Sequence, residues 1–97
     1  MDTYAQIAKK IIEQQETIIG PVAIEQAKQI SGLQVASWEK GKHEVKVSGY
    51  ESGVIDKLVQ QYKELFGQIS VEVCKEAAGP LMTKLNSEKQ KVPKTLA

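Results

Sequence analysis

An internal repeat at an offset of 47 residues constrains this chain more than any other feature. Segment 7–32 reads IAKKIIEQQETIIGPVAIEQAKQISG, and segment 54–79 reads VIDKLVQQYKELFGQISVEVCKEAAG, aligned without a gap. Six pairs are identical: Lys10/Lys57, Gln14/Gln61, Gly20/Gly67, Glu25/Glu72, Lys28/Lys75 and Gly32/Gly79. Ten further pairs are apolar in both copies, among them Ile11/Leu58, Ile19/Phe66, Val22/Ile69 and Ala27/Cys74. Two segments with one apolar pattern must bury the same face, so a repeated structural unit is expected.

Each copy has the pattern of a bent helix pair. Thr3-Tyr4-Ala5-Gln6 has the form of a capping box. Apolar residues at 4, 7, 8, 11, 12, 18 and 19 then keep helical spacing. Gly20-Pro21 interrupts the run, because proline removes a hydrogen bond inside a helix yet suits the first position of a new one. The expected helices are 3–18 and 21–31, with Gly32 as the C-terminal stop. In the second copy Ser52 caps a helix over 52–66, Gly67 repeats the break, and a helix over 69–78 follows. Gln68 stands where the first copy has Pro21, so the second pair bends less or runs on as one helix. Gly79-Pro80 is expected to stop or kink it, with a last turn or two over 81–85.

A hairpin joins the copies. Leu33, Val35 and Ser37 alternate with Gln34 and Ala36, and Val45 and Val47 alternate with Glu44, Lys46 and Ser48. A three-residue loop, Glu39-Lys40-Gly41, sets Val35 opposite Val45 and Leu33 opposite Val47. Such a hairpin is unstable alone, so the helices must cover its apolar face. The expected fold class is α+β: internally duplicated bent helix pairs flanking a two-stranded antiparallel hairpin, ordered ααββαα with pseudo-twofold symmetry. Residues 1–85 make one small domain. Residues 86–97, rich in Lys and poor in apolar side chains, are expected to form a flexible tail. Four amphipathic helices in 97 residues leave apolar surface that a homodimer would bury.

Composition narrows the function classes. The net charge is +1, too small for a strong field toward nucleic acid or an anionic membrane. All 13 basic residues are Lys. Without Arg the chain lacks the planar fork that grips phosphate and guanine edges. One cysteine allows no internal disulfide, which fits a reducing cytoplasm. Met1-Asp2-Thr3 has neither the basic nor the apolar opening of a signal peptide. The near-apolar run from Ile18 to Ile24 is far too short to cross a bilayer. A cytoplasmic protein with no membrane partner is expected.

The residues that could carry chemistry are few. His43 is the single histidine and has no second ligand at metal-binding spacing. Cys74 replaces Ala27 of the first copy, which argues for a small core residue. Glu25 and Glu72 are a symmetric pair of carboxylates that could hold a cation or serve as acid and base. The same residues stand three before Lys28 and Lys75, the spacing of ordinary intrahelical pairs. No catalytic residue, metal-ligand set or cofactor is assigned.

Trp38, by strand alternation, points away from the Val35/Val45 face near the loop, where an aromatic either marks a contact surface or caps the edge of the helical core. Lys40, Lys42, His43 and Lys46 surround it on the hairpin. The expected function is a non-enzymatic, dimerising protein–protein interaction or regulatory module, with itself and another protein as partners. The alternative is weak nucleic-acid binding through the hairpin lysines and Lys84, Lys89, Lys91 and Lys94. Glu39, Glu44, Glu51 and Glu88 dilute both basic groups.

Overall fold

The computed structural model describes residues 2–97. It is α+β, with four α-helices and a two-stranded antiparallel hairpin. In chain order come α1 (Thr3–Ile19), α2 (Val22–Ala27), β1 (Leu33–Glu39), β2 (Lys42–Val47), α3 (Glu51–Phe66) and α4 (Gln68–Ser87). A single 3₁₀ turn, Lys94–Leu96, follows. Helix α1 packs on α4 and on β2, while α2 packs on α3 and on β1. Leu33, Val45 and Val47 are thereby buried between hairpin and helices. None of the helices is long and apolar enough to cross a membrane, among the described residues.

Helix α1 begins at an Asp cap rather than the expected capping box. Asp2 Oδ1 accepts from the Ala5 N–H at 2.9 Å, and the Thr3 hydroxyl instead donates to Glu88 Oε1 at 2.7 Å. Likewise Ser52 does not cap α3: it lies buried within the helix, which starts at Glu51. Helices α1 and α3 end alike. The Gly20 N–H donates to Glu16 O at 2.9 Å, and the Gly67 N–H donates to Lys63 O at 2.8 Å. The two glycines take φ of +76° and +86° with ψ of −160° and −176°. Only glycine enters that region without strain, so each helix breaks where the sequence places one.

The apolar stripes meet inside one chain. Ile7, Ile11 and Ile12 of α1 are fully enclosed, as are Ile55, Leu58 and Val59 of α3. Two buried polar side chains bridge the helix pairs. Gln15 Nε2 donates to Ser70 O at 3.0 Å, and the Tyr62 hydroxyl donates to Ala23 O at 2.7 Å. Among the described residues, every buried side-chain nitrogen and oxygen has a partner. That satisfaction is what makes such polar burial tolerable.

Two further expectations are corrected. Helix α2 ends at Ala27 rather than 31: Gln29 and Ile30 donate to Gln26 O and Ala27 O at 3.1 Å, tightening the chain into i→i+3 turns. The chain then turns at Gly32, where a Cβ would stand 2.7 Å from Val54 Cγ2 and 2.9 Å from Ser48 O. Helix α4 neither stops nor breaks at Gly79-Pro80, but runs 20 residues with Pro80 inside it. Inside a helix Pro80 forgoes one hydrogen bond and crowds the carbonyl four residues back, but its clash with a Cβ on the preceding residue is absent because Gly79 has none. Burial of Cys74 and Ala78 before the proline, and of Leu85 after it, holds both halves on one face.

The C-terminal segment touches the helices at several residues. Lys91 O accepts from the Tyr4 hydroxyl at 2.6 Å. Pro93 and Leu96 are buried. Asp56 accepts from the Thr95 N–H at 2.9 Å and from the Thr95 hydroxyl at 2.6 Å. Two apolar side chains and one carboxylate suffice to seat a segment whose composition reads as solvated.

Candidate functional site

The hairpin tip gathers the residues that the sequence singles out. At its base the register is as expected, with Leu33 opposite Val47 and Val35 opposite Val45. Beyond Val35 the ladder shifts: Ser37 pairs with Glu44, Trp38 with His43 and Glu39 with Lys42. The first strand advances two residues while the second retreats one, so Ala36 is the extra residue of a β-bulge. The expected three-residue loop shrinks to Lys40-Gly41, with Gly41 at a φ of +80°.

The bulge changes the face of Trp38. Alternate residues of β2 share a face, so His43 lies with Val45 and Val47. Its cross-strand neighbour Trp38 therefore points toward the helices, correcting the outward orientation expected from simple alternation. The Trp38 ring packs on the edge of the core and remains partly exposed. It stacks on the His43 ring with centroids 3.9 Å apart and planes 4° from parallel.

Helix α1 clamps both rings. Trp38 Nε1 donates to Glu16 Oε1 at 3.1 Å. His43 Nδ1 lies 2.7 Å from Glu13 Oε2, a hydrogen bond when Nδ1 carries a proton and an ion pair when the imidazole is charged. Glu13 and Glu16 are one helical turn apart and reach the same side of α1. Neither was singled out from the sequence. The only signal was their i, i+3 spacing on the polar flank of the α1 stripe. The arrangement orients an imidazole beside an indole and leaves His43 Nε2 without a place in the Glu13 contact. No group of three or more metal-binding side chains exists among the described residues.

The remaining sequence candidates are dispersed. Lys40, Lys42 and Lys46 are exposed on the hairpin. Glu25 and Glu72 are exposed on different helices, and Glu72 accepts from Gln68 Nε2 at 3.3 Å. Cys74 is fully buried, with Gln15 Nε2 at 3.4 Å from its sulfur. Burial pushes its thiol up to about 11, which suppresses the reactive thiolate at neutral pH. Two lysines of the C-terminal segment are engaged locally. Lys91 Nζ donates to the Tyr50 hydroxyl and lies 4.8 Å from the Tyr50 ring centroid. That bond holds Tyr50 below the ordinary phenol range and Lys91 above the ordinary amine range. Lys94 donates its backbone N–H to Asp56 at 3.3 Å.

An open groove of ≈ 710 Å³ lies between the start of α1 and the hairpin, lined by Asp2, Ala5, Val45, Lys46, Val47 and Ser48 among others. Compared with family models, curated proteins and solved structures, the chain gives no significant match. Its function rests on the residues themselves.

Proposed function

We propose that this chain is a non-enzymatic interaction module, acting in the cytoplasm, that self-associates and presents its hairpin to a second protein. The observation that carries this reading is the two-stranded sheet itself. Its helix-facing side is covered, while neither strand edge pairs with a further strand among the described residues. Exposed edge donors and acceptors are the means by which one chain recruits another strand. Trp38, with Lys40, Lys42, His43 and Lys46, lies on the same hairpin.

The scaffold behind the hairpin is read as an internal duplication with pseudo-twofold symmetry. Supporting it are the two bridging hydrogen bonds. Gln15 and Tyr62 are repeat equivalents, as are Ala23 and Ser70, because each pair differs by the same offset of 47. Gln15 donates to Ser70 and Tyr62 donates to Ala23, the reciprocal pattern of a twofold contact. On this reading most of the helix faces are buried against each other within one chain, Ile18, Leu65 and Ile69 staying exposed near the helix breaks, and self-association is assigned to the hairpin.

Sedimentation equilibrium or size-exclusion chromatography with light scattering tests the first part. A concentration-dependent dimer is expected, and a monomer at millimolar protein removes self-association from the account. Nucleic acid is the less favoured partner, since the Lys91 ammonium is drawn into a local contact with Tyr50.

A further inference from the structure

Strand β2 is the edge suited to a second copy. Among the described residues its backbone pairs with β1 alone, so one row of donors and acceptors along Lys42–Val47 has no protein partner. The opposite edge differs: the bulge at Ala36 lies on β1 and interrupts its row. Bulges twist an edge away from further pairing. No extra residue interrupts β2.

We propose that β2 pairs antiparallel with β2 of a second copy about Val45, joining the two hairpins into one four-stranded sheet. The inference rests on the reading of the chain as a self-associating module and names the surface and register of that contact. A twofold axis perpendicular to the sheet keeps the helices of both copies on one side. Cross-strand neighbours must share a face, so the axis has to pass through a residue rather than between two.

Charge then selects the residue. Glu44 and Lys46 are exposed and lie on the face away from the helices. With the axis on Val45, Glu44 stands opposite the partner's Lys46, and Lys46 stands opposite the partner's Glu44. An axis on Glu44 would set that carboxylate against its own copy and Lys42 against the partner's Lys46. An axis on Lys46 would oppose two ammonium groups. Opposite charges across a ladder stabilise it, and like charges directly opposite destabilise it. An axis on His43 would also oppose Lys42 to the partner's Glu44, but it pairs only residues 42–44 of β2, against 43–47 for the axis on Val45, so the Val45 register is the longest self-complementary one. Its only other side-chain burden at the centre is Val45, against the groove of ≈ 710 Å³ that this residue helps to line.

The test uses the full chain and four forms: the wild type, Glu44→Lys, Lys46→Glu and the double reversal. Both positions are exposed, and far-UV circular dichroism confirms that each form is folded. Sedimentation equilibrium is expected to show a reversible wild-type dimer. Each single reversal converts two attractive pairs into two repulsive ones and weakens dimerisation by about tenfold or more. The double reversal exchanges the charges and restores the wild-type association. A dimer indifferent to the single reversals, or one that the double form fails to restore, overturns this register and leaves the self-associating reading standing. A wild-type monomer at millimolar protein, including one that takes up an extended peptide, overturns both.

Discussion

Replacing Tyr62 by Phe tests whether the bridge between helix pairs holds the fold. The Tyr62 side chain is fully buried, and its hydroxyl donates to Ala23 O at 2.7 Å. Phe keeps the ring and its packing, so the change isolates the hydroxyl. A typical buried hydrogen bond contributes about 1 kcal/mol net, and a carbonyl left short of a donor raises the cost to about 1–2 kcal/mol. For a domain of this size that lowers Tm by roughly 5–15 °C, read by calorimetry near neutral pH. The pH dependence supplies a second signature. Burial, and after it the neighbouring Cys74, raises the Tyr62 phenol above its ordinary value of 10.0. Above that pH the unfolded chain releases the proton while the folded chain retains it, so the wild type loses stability as pH rises. Between pH 10 and 11 the loss from this group approaches about 1.4 kcal/mol. Phe has no proton to lose, so the wild-type advantage should shrink over that interval until the two curves nearly meet. A Tm fall under about 2 °C, or a gap that stays constant with pH, would refute the bridge as a stabilising contact.

Two further substitutions probe the helix breaks and the C-terminal segment. Gly20→Ala and Gly67→Ala force a side chain into positive φ with extended ψ while meeting no neighbour within 4 Å. Each should cost about 1–2 kcal/mol by denaturant unfolding, from backbone strain alone, and wild-type stability in either would show that the breaks do not need glycine. Leu96→Ala should destabilise by roughly 2 kcal/mol and remove hydrogen-exchange protection at Thr95, whereas a freely solvated segment would show neither effect.

The helices and the hairpin base were legible because their signals are local. Apolar residues at helical spacing name the buried face of α1 and α3, and Ile11, Ile12, Leu58 and Val59 lie where that pattern puts them. Gly20 and Gly67 mark real breaks, since glycine alone reaches their backbone conformation at little cost. The burial of Cys74 follows from its alignment with Ala27. The tip of the hairpin was not legible. A bulge spends one residue without a compositional mark, and Ala36 carries none. Its placement is tied to where Trp38 and His43 meet Glu16 and Glu13, which lie 22 and 30 residues earlier in the chain.

The sequence by itself determined which residues are apolar on which face, that α1 must break at Gly20-Pro21, and that two β segments pair at Leu33/Val47 and Val35/Val45. These follow from side-chain periodicity and backbone sterics, which act within a few residues. Only the tertiary structure decided the rest. Gly32 and Gly79 are the same residue at equivalent positions of the repeat, yet Gly32 turns the chain at φ +90° while Gly79 lies inside α4. Val54 and Ser48 O crowd the first, and nothing approaches the second within 4 Å. Pro93 and Leu96 become core residues because Tyr4 and Asp56 hold Lys91 and Thr95, 87 and 39 residues away from them in sequence. Contacts of that range leave no trace in a local window. The two segments that align at an offset of 47 therefore end differently.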